Sequence, residues 1–170
     1  MKSEIAIIGC GRIGSVHARA ITETLPMVDL VLADVEPNRA IDLANRVRAH
    51  AVDIADIWDL PSLRAVAICS STTTHVDYIC AAAEAGVAVF CEKPVSLDLD
   101  EVDRAVRAVT DSDIPFMVGF ISDSIPPTRP PSRRSSMGGL GTCICSASPR
   151  EIRSRRRWIT SPSAVGFSST

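Results

Sequence analysis

The stretch EIAIIGCGRIG, residues 4–14, decides the fold of this chain. An apolar run of strand length leads directly into a G-x-G-x-x-G turn, and the residues that follow have helical periodicity. In such a strand-turn-helix unit, Gly9 permits the tight turn, Gly11 lets a phosphate approach the backbone, and Gly14 lets the helix pack against the strand. We interpret the stretch as a dinucleotide-binding turn, and the alternative is an ordinary β-to-α turn.

Strand-length apolar runs alternate with helical stretches through the first 120 residues. Near-continuous apolar strands are typical of a parallel sheet covered on both faces. Pro37 suits the first position of a helix, Thr74 a cap, and Gly86 a helix C-terminus. The pattern predicts an α/β fold, a Rossmann-type doubly wound parallel sheet. Its predicted strands are 4–9, 30–34, 65–69, 87–91 and 116–119, with a weak one near 51–52, and its predicted helices are 13–24, 37–48, 75–86 and 99–111.

Composition bounds the class of protein. The chain has 170 residues, of which 46% are hydrophobic, and this suffices for one globular core. No run of 18 apolar residues occurs and the N-terminus lacks a signal-type segment, so we expect a cytoplasmic protein without a membrane partner. Six cysteines occur, and those in apolar segments are expected to be buried, reduced thiols. Their spacing lacks the two-pair pattern of a zinc site, so we predict no metal.

The second predicted strand ends in Asp34, about 20 residues past the glycine turn. An acidic residue at this place typically accepts hydrogen bonds from the adenosine ribose hydroxyls, and its charge repels a 2′-phosphate. The sequence therefore predicts NAD rather than NADP, although Arg39 nearby can soften the discrimination. The alternative is that Asp34 caps the helix that starts at Pro37.

Polar residues also follow the strands predicted at 65–69 and 87–91. The segment SSTTTH, residues 70–75, can line the nicotinamide ribose or can be an ordinary Ser/Thr loop that caps a helix. Its His75, taken alone, is more typical of a satisfied surface histidine than of a catalytic one. Lys93 can donate a hydrogen bond to a substrate hydroxyl or carbonyl, or can be a solvated charge at a strand end.

Taken in order, the glycine turn, Asp34, Thr72-x-x-His75 and Glu92-Lys93-Pro94 resemble the glucose-fructose oxidoreductase, inositol dehydrogenase and rhizopine catabolism (Gfo/Idh/MocA) family. The resemblance covers nearly all of residues 1–120. Residues 17–20 (HARA) and 90–98 (FCEKPVSLD) are most similar to its inositol 2-dehydrogenase branch.

The resemblance implies an oxidoreductase that transfers hydride from a ring carbinol of a sugar or cyclitol to NAD. It also implies that Lys93 takes part at the substrate hydroxyl. The candidate cofactor-binding residues, from the patterns and the resemblance together, are Gly9, Gly11, Arg12, Ile13, Gly14, Asp34, Arg39, Ser71, Thr72, His75, Glu92 and Lys93.

The character of the sequence changes after residue 120. Of residues 121–170, 26 are Ser, Arg or Pro, and no apolar period persists, so we expect a largely disordered tail after a Rossmann domain at 1–120. Family members continue into a substrate domain that supplies an Asp and a His proton acceptor. The resemblance therefore implies a catalytically incomplete, truncated chain with impaired oligomerisation. A non-catalytic NAD(H)-binding module is the alternative function.

Two hypotheses account for the tail. Translation restarted at the third base of each codon permits FDPSYAA from Asp123 onward, which resembles the family's second domain. The single codons of Met137 and Trp158 force Gly and Asp at their junctions, as the family pattern requires, so we interpret the tail as a shifted reading frame.

The alternative is an arginine-rich nucleic-acid arm, because residues 1–120 carry 10 Lys/Arg against 18 Asp/Glu and residues 121–170 carry 8 against 2. Only two aromatic residues, Trp158 and Phe167, are available for base stacking there, so we do not expect a nucleic-acid partner.

Overall fold

The computed structural model describes residues 2–121 and 142–147. Strands and helices alternate up to residue 121, as the sequence predicts. The strands are β1 (Glu4–Ile8), β2 (Asp29–Ala33), β3 (Ala49–Ala51), β4 (Leu63–Ile68), β5 (Ala88–Cys91), β6 (Phe116–Ile121) and β7 (Thr142–Ala147). The helices are α1 (Arg12–Thr24), α2 (Pro37–Ala44), α3 (Thr72–Glu84) and α4 (Leu99–Ser112), with a 3₁₀ helix at Ile54–Asp59.

The strands form one sheet in the order β3-β2-β1-β4-β5-β6-β7. The first six strands are parallel, which confirms the Rossmann-type doubly wound fold. The chain builds outward from β1 to β3 on one side and then returns to β4 on the other side of β1. Open α/β sheets bind ligands at such a switch point, in the crevice beyond the carboxyl ends of the strands.

The sheet carries an apolar layer on each face, because successive residues of a strand point to opposite sides. In β1, Ile7 packs in the layer that contains Ala18 of α1 and Leu43 of α2. Its neighbour Ile8 packs in the opposite layer, with Ile79 of α3 and side chains of α4. Each fully buried side chain of this size contributes about 1.5–3 kcal/mol to folding. The two layers fix the strand ends, and hence the loops that follow them.

The helix boundaries test the capping predictions. Pro37 is the first residue of α2 and Gly86 has a positive φ of 68° just past the end of α3, so both predictions are confirmed. The predicted cap at Thr74 is wrong, because Ser71 is the N-cap and α3 starts at Thr72. Several consecutive hydroxyl residues compete for that role, and the Thr74 hydroxyl bonds to the Ser71 carbonyl one turn inside the helix.

Strand β7 comes from the segment that the sequence analysis treats as a tail. It pairs antiparallel with β6, from Phe116 opposite Ala147 to Ile121 opposite Thr142. Sequence alone did not predict this strand, because its hydrogen-bond partners lie on the open edge of β6 rather than nearby in the chain. The prediction of a disordered tail otherwise falls outside the described residues. Among the described residues, no helix has both the length and the apolar character needed to cross a bilayer.

Candidate cofactor site

A cleft of about 270 Å³ opens at the switch point, beyond the carboxyl ends of β1, β2 and β4. It brings together the glycine turn, the end of β2 and the loop after β4, which the sequence analysis predicted as separate polar segments. Its lining residues are Ile8, Gly9, Gly11, Asp34, Val35, Arg39, Ile54, Cys69, Ser70, Ser71, Thr74 and Tyr78.

Two glycines of the turn are required by the protein's own backbone. Gly9 has a φ of 97°, and a Cβ there would lie 2.5 Å from the backbone nitrogen of Ser70. A Cβ on Gly14 would lie 1.9 Å from the carbonyl oxygen of Gly9. The first glycine therefore makes the turn and the second lets α1 pack onto it, as the motif predicts.

Gly11 differs from the other two glycines. It is the N-cap of α1, and a Cβ there would meet nothing within 4 Å. The absence of a side chain leaves open space beside the first backbone amides of the helix. A helix N-terminus attracts anions through these amides and its dipole, so the cradle fits a pyrophosphate. Arg12 and Ile13 follow it, with Arg12 exposed and Ile13 packed on the core.

Asp34 is buried in the cleft wall, with 8% of its surface exposed. Its Oδ2 accepts a hydrogen bond from the Cys10 N–H at 2.6 Å, and its Oδ1 accepts one from the Glu36 N–H at 2.9 Å. Each carboxylate oxygen keeps a further lone pair for a ligand hydroxyl. Asp34 is not the cap of α2, because the N-cap is Glu36.

An apolar rim, which was not predicted from the sequence, continues from Asp34. Val35 is 74% exposed and lies in the cleft with Ile54 and Tyr78. Burial, and then the charges of Asp34 and Asp77, raise the pKa of the Tyr78 phenol, so Tyr78 stays a neutral hydrogen-bonding group. One signal was available in the sequence, namely an apolar residue directly after the ribose-type acid.

Arg39 also reaches the cleft from α2. Its guanidinium pairs with Glu36 at 2.9 Å, and both side chains are more than half exposed. The pair partly neutralises the Arg39 charge beside Asp34. Solvent screens such exposed pairs strongly, so the arginine remains able to turn toward a ligand.

The hydroxyl segment after β4 lines the far side of the cleft. Ser70, Ser71 and Thr74 are lining residues, and the Ser70 and Thr74 hydroxyls lie 2.8 Å apart. Thr72 starts α3 and is not a lining residue. The segment thus caps a helix and also faces the cleft, and its contact with the nicotinamide ribose stays a prediction.

His75 lies behind that segment, with 1% of its surface exposed. His75 is therefore a buried histidine, whereas its sequence context alone is more typical of a surface histidine. Its Nδ1 lies 2.9 Å from the Pro94 carbonyl oxygen and its Nε2 lies 3.1 Å from the Ser70 carbonyl oxygen. Carbonyl oxygens only accept, so a neutral ring donates to one of them and a protonated ring to both. His75 does not line the cleft.

Glu92 follows β5 and pairs with a residue that sequence analysis did not select. Its Oε1 lies 2.7 Å from Nε2 of His17 on α1. The His17 ring packs edge-on against Phe90 at 5.1 Å. A Cβ on Gly119 of β6 would lie 2.9 Å from the Phe90 ring and 3.2 Å from Glu92 Oε1, so this glycine makes room for the pair.

Three buried cysteines lie in the glycine turn, directly after β4 and at the end of β5. Burial raises the pKa of the Cys10, Cys69 and Cys91 thiols to about 12, with smaller contributions from neighbouring charges. All three are therefore protonated near neutral pH. The cysteines that the structure describes are free. Within the same residues, no three His, Cys, Asp or Glu side chains are grouped as metal ligands.

Residues 3–120, which include the residues that line the cleft, match a known protein family. The Gfo/Idh/MocA model, described as an oxidoreductase family with an NAD-binding Rossmann fold, matches residues 3–120. The chain belongs to this family. Those residues are its NAD-binding Rossmann domain, and the open cradle at Gly11 and the free lone pairs of Asp34 fit that cofactor.

Several members of the Gfo/Idh/MocA family are similar over the same region. The inositol 2-dehydrogenase of Rhizobium meliloti is 37% identical over 120 residues, which are 71% of this chain and 36% of the relative. The myo-inositol 2-dehydrogenase of Thermotoga maritima is 36% identical over 122 residues, 68% and 35% of the two chains. A crystal structure of a myo-inositol dehydrogenase from Corynebacterium glutamicum has a TM-score of 0.62 at 36% identity, covering 69% of this chain and 36% of that one. The chain thus spans about a third of the length of these relatives.

Proposed function

We propose that the domain supplies the cofactor half of a dehydrogenase that transfers hydride between NAD(H) and a carbinol of a sugar or cyclitol, as in inositol 2-dehydrogenases. One observation carries the proposal: the open cradle at Gly11 and the Asp34 carboxylate face one cleft. The names of the similar relatives support the substrate class.

Each part of the cofactor has a matching part of the cleft. The pyrophosphate would lie over the amides of residues 11–13, where the helix dipole favours negative charge. The adenosine ribose hydroxyls would donate to the free lone pairs of Asp34. The adenine would pack on Val35, Ile54 and Tyr78, and the nicotinamide ribose would lie toward Ser71.

The same geometry favours NAD over NADP. A 2′-phosphate would bring about two negative charges against Asp34, a carboxylate already held rigidly by two backbone N–H groups. The Arg39 guanidinium shares its charge with Glu36, so it offsets this repulsion only in part. We expect a clear preference for NAD and weak residual binding of NADP.

Lys93 is the candidate group for the substrate hydroxyl. It follows β5, at the same edge of the sheet as the cleft, and is exposed. Bound NAD would supply the hydride acceptor, and an ammonium at Lys93 can donate a hydrogen bond to the carbinol oxygen or to the carbonyl that the carbinol becomes.

We also propose that the Rossmann domain ends at residue 120. Strand β7, which comes from the following segment, adds one strand to the same sheet.

Titration of the 170-residue chain with NADH, followed by fluorescence and calorimetry, tests the binding. We expect saturable binding of NADH and of ADP-ribose, and much weaker binding of NADPH. Failure to bind either NADH or ADP-ribose would contradict the proposal. A parallel assay of NAD reduction with myo-inositol shows whether residues 121–170 provide a proton acceptor in this chain.

A further inference from the structure

Lys93 is held in place by its neighbours rather than by contacts of its own. Its side chain is exposed, and its ammonium makes no hydrogen bond or ion pair within residues 2–121. The residues on either side of it, Glu92 and Pro94, are each bound by a histidine from a different helix. A flexible side chain on a fixed backbone is thereby presented at the sheet edge.

The first of these histidines is His17. Its Nε2 and the Glu92 Oε1 lie 2.7 Å apart, with 27% and 15% of the two side chains exposed. Phe90 packs against the His17 ring, and Gly119 leaves the space that Phe90 and the Glu92 carboxylate occupy. This partly buried, charge-assisted contact restricts the Glu92 side chain.

The second histidine is His75. It joins the Pro94 carbonyl to the Ser70 carbonyl through its two ring nitrogens, in a site that is closed to solvent. The carbonyl that it holds belongs to the residue directly after Lys93. Ser70 lines the cofactor cleft, so one ring connects the Lys93 turn with the cleft wall.

Both helices begin at the cleft. The N-cap of α1 is Gly11, and the N-cap of α3 is Ser71, and both residues line the cleft. His17 and His75 therefore lie on the same rigid elements that would contact the pyrophosphate and the nicotinamide ribose. A shift of the Lys93 backbone relative to these two helices would strain the histidine contacts at Glu92 and Pro94.

We propose that His17 and His75 are positioning residues that together hold the Lys93 turn, and with it the Lys93 ammonium, at the nicotinamide end of the cofactor cleft. We call this pair the histidine brace. The proposal rests on the proposed NAD(H) binding, and on Lys93 lying beside the nicotinamide half of the molecule. Neither histidine needs to touch the cofactor to act in this way.

Two ligands separate the brace from general effects on binding. NADH carries the nicotinamide, and ADP-ribose has the adenosine, the pyrophosphate and the second ribose without it. With the 170-residue chain, Lys93→Met is expected to weaken NADH binding about tenfold and ADP-ribose binding less than about twofold. His17→Leu is expected to show the same selective loss.

Conservative variants then test the individual contacts. The amide nitrogen of His17→Gln can reach the place of Nε2 and donate to Glu92, so it is expected to recover most of the NADH affinity. At position 75, Asn places its amide nitrogen near that of Nδ1 and can donate to the Pro94 carbonyl, whereas Leu of similar volume cannot. His50→Leu is the matched control, because His50 is exposed on β3 and is the remaining histidine of the chain.

A double-mutant cycle provides the deciding measurement. If His17 acts through Lys93, the loss in His17→Leu/Lys93→Met equals that of Lys93→Met alone instead of the product of the two. Additive losses, or equal losses of NADH and ADP-ribose affinity in the histidine variants, would overturn the brace. Should His75→Leu fail to fold, the His17 cycle and the Asn variant still decide. Wild-type chain that binds neither ligand would instead contradict the proposed function.

Discussion

The Asp34 carboxylate holds the centre of the glycine turn, since its Oδ2 accepts the Cys10 N–H at 2.6 Å. The two residues lie 24 positions apart and belong to two motifs that are separate in the sequence. The contact makes them one unit, because the acid that would bind the ribose also fixes the turn that would bind the pyrophosphate. A substitution in either motif should therefore weaken the binding of both the ribose and the pyrophosphate.

Asp34→Asn tests this coupling. An amide offers one acceptor oxygen and a donor NH₂, so either the Cys10 or the Glu36 N–H loses its partner. We expect a loss of about 1–3 kcal/mol in the free energy of unfolding. We also expect NADH affinity to fall about tenfold while NADPH affinity falls less, because the charge that repels the 2′-phosphate is gone. Thermal unfolding and paired NADH and NADPH titrations measure both effects.

Asp42→Asn is the control for that prediction, because Asp42 is an exposed acid on the neighbouring helix α2. It changes the net charge equally and should leave the NADH to NADPH ratio unchanged. An unchanged ratio in Asp34→Asn itself would show that Asp34 does not face the ribose.

Gly11→Ala and Gly14→Ala should separate binding from folding. The new methyl group at position 14 would lie 1.9 Å from the Gly9 carbonyl oxygen, so α1 must move away from β1. We expect a destabilisation of about 3 kcal/mol. The methyl group at position 11 meets no protein atom within 4 Å, so stability should change by less than about 1 kcal/mol. NADH affinity should nevertheless fall at least about tenfold, because the methyl fills the phosphate cradle.

Calorimetric titration of the two variants beside their melting curves checks this contrast. Gly11→Ala chain that binds NADH as tightly as the wild type would mean that the pyrophosphate does not pass over Gly11.

The strands were predictable because the physics that forms them is local. Residues 5–8 are apolar at successive positions, and both faces of a strand in a covered parallel sheet are buried, so the run itself indicates the element. The glycine turn was predictable for the same reason, since its three glycines lie within six residues. The ends of the helices were less predictable. Ser71 and Thr74 both suit a cap by residue type, and the N-cap of α3 is Ser71.

The relationships between elements were not predictable from one sequence. Nothing in the chain around His17 indicates that it meets Glu92, because α1 and β5 become neighbours only when the sheet forms. The residues next to His75 in the sequence are polar, yet its side chain is buried, and its Nδ1 lies 2.9 Å from the Pro94 carbonyl oxygen. Val35 directly follows the predicted strand end at Asp34, and its exposure in the cleft depends on the folded arrangement of the loops.

Alkaline pH should destabilise the domain through its buried thiols. Burial raises the folded-state pKa of Cys91 to about 12 from 9.0, so above pH 9 the unfolded chain loses this proton and the folded chain keeps it. The stability that the neutral thiol contributes is therefore complete below pH 9 and is lost as the pH rises toward 12. The expected slope is up to about 1.4 kcal/mol per pH unit for each such thiol.

Urea unfolding at pH 8, 9, 10 and 11 measures that slope, and Cys91→Ala should make it shallower because one titrating group is removed. Iodoacetamide should correspondingly react slowly with Cys10, Cys69 and Cys91 in the folded chain and rapidly after unfolding. Equal slopes for wild type and Cys91→Ala, or fast alkylation of the folded chain, would contradict the raised pKa values.

Hydrogen exchange can establish whether β7 belongs to the sheet. Residues 116–118 of β6 pair with β5 on one side, whereas residues 119–121 pair only with β7 within the described residues. Slow exchange in residues 119–121 therefore requires β7. Ile144→Pro removes one N–H opposite Gly119 and disrupts the ladder, so these amides should exchange at least about tenfold faster.

The exchange of β1 and β2 amides serves as the internal control, because these strands lie at least three strands away from β7 in the sheet. Ile144→Val keeps the backbone N–H and the β-branched side chain, and should leave the protection in place. Rapid exchange of residues 119–121 in the wild type would mean that the sheet ends at β6. The boundary proposed at residue 120 would then lie at the edge of the sheet that binds NAD(H).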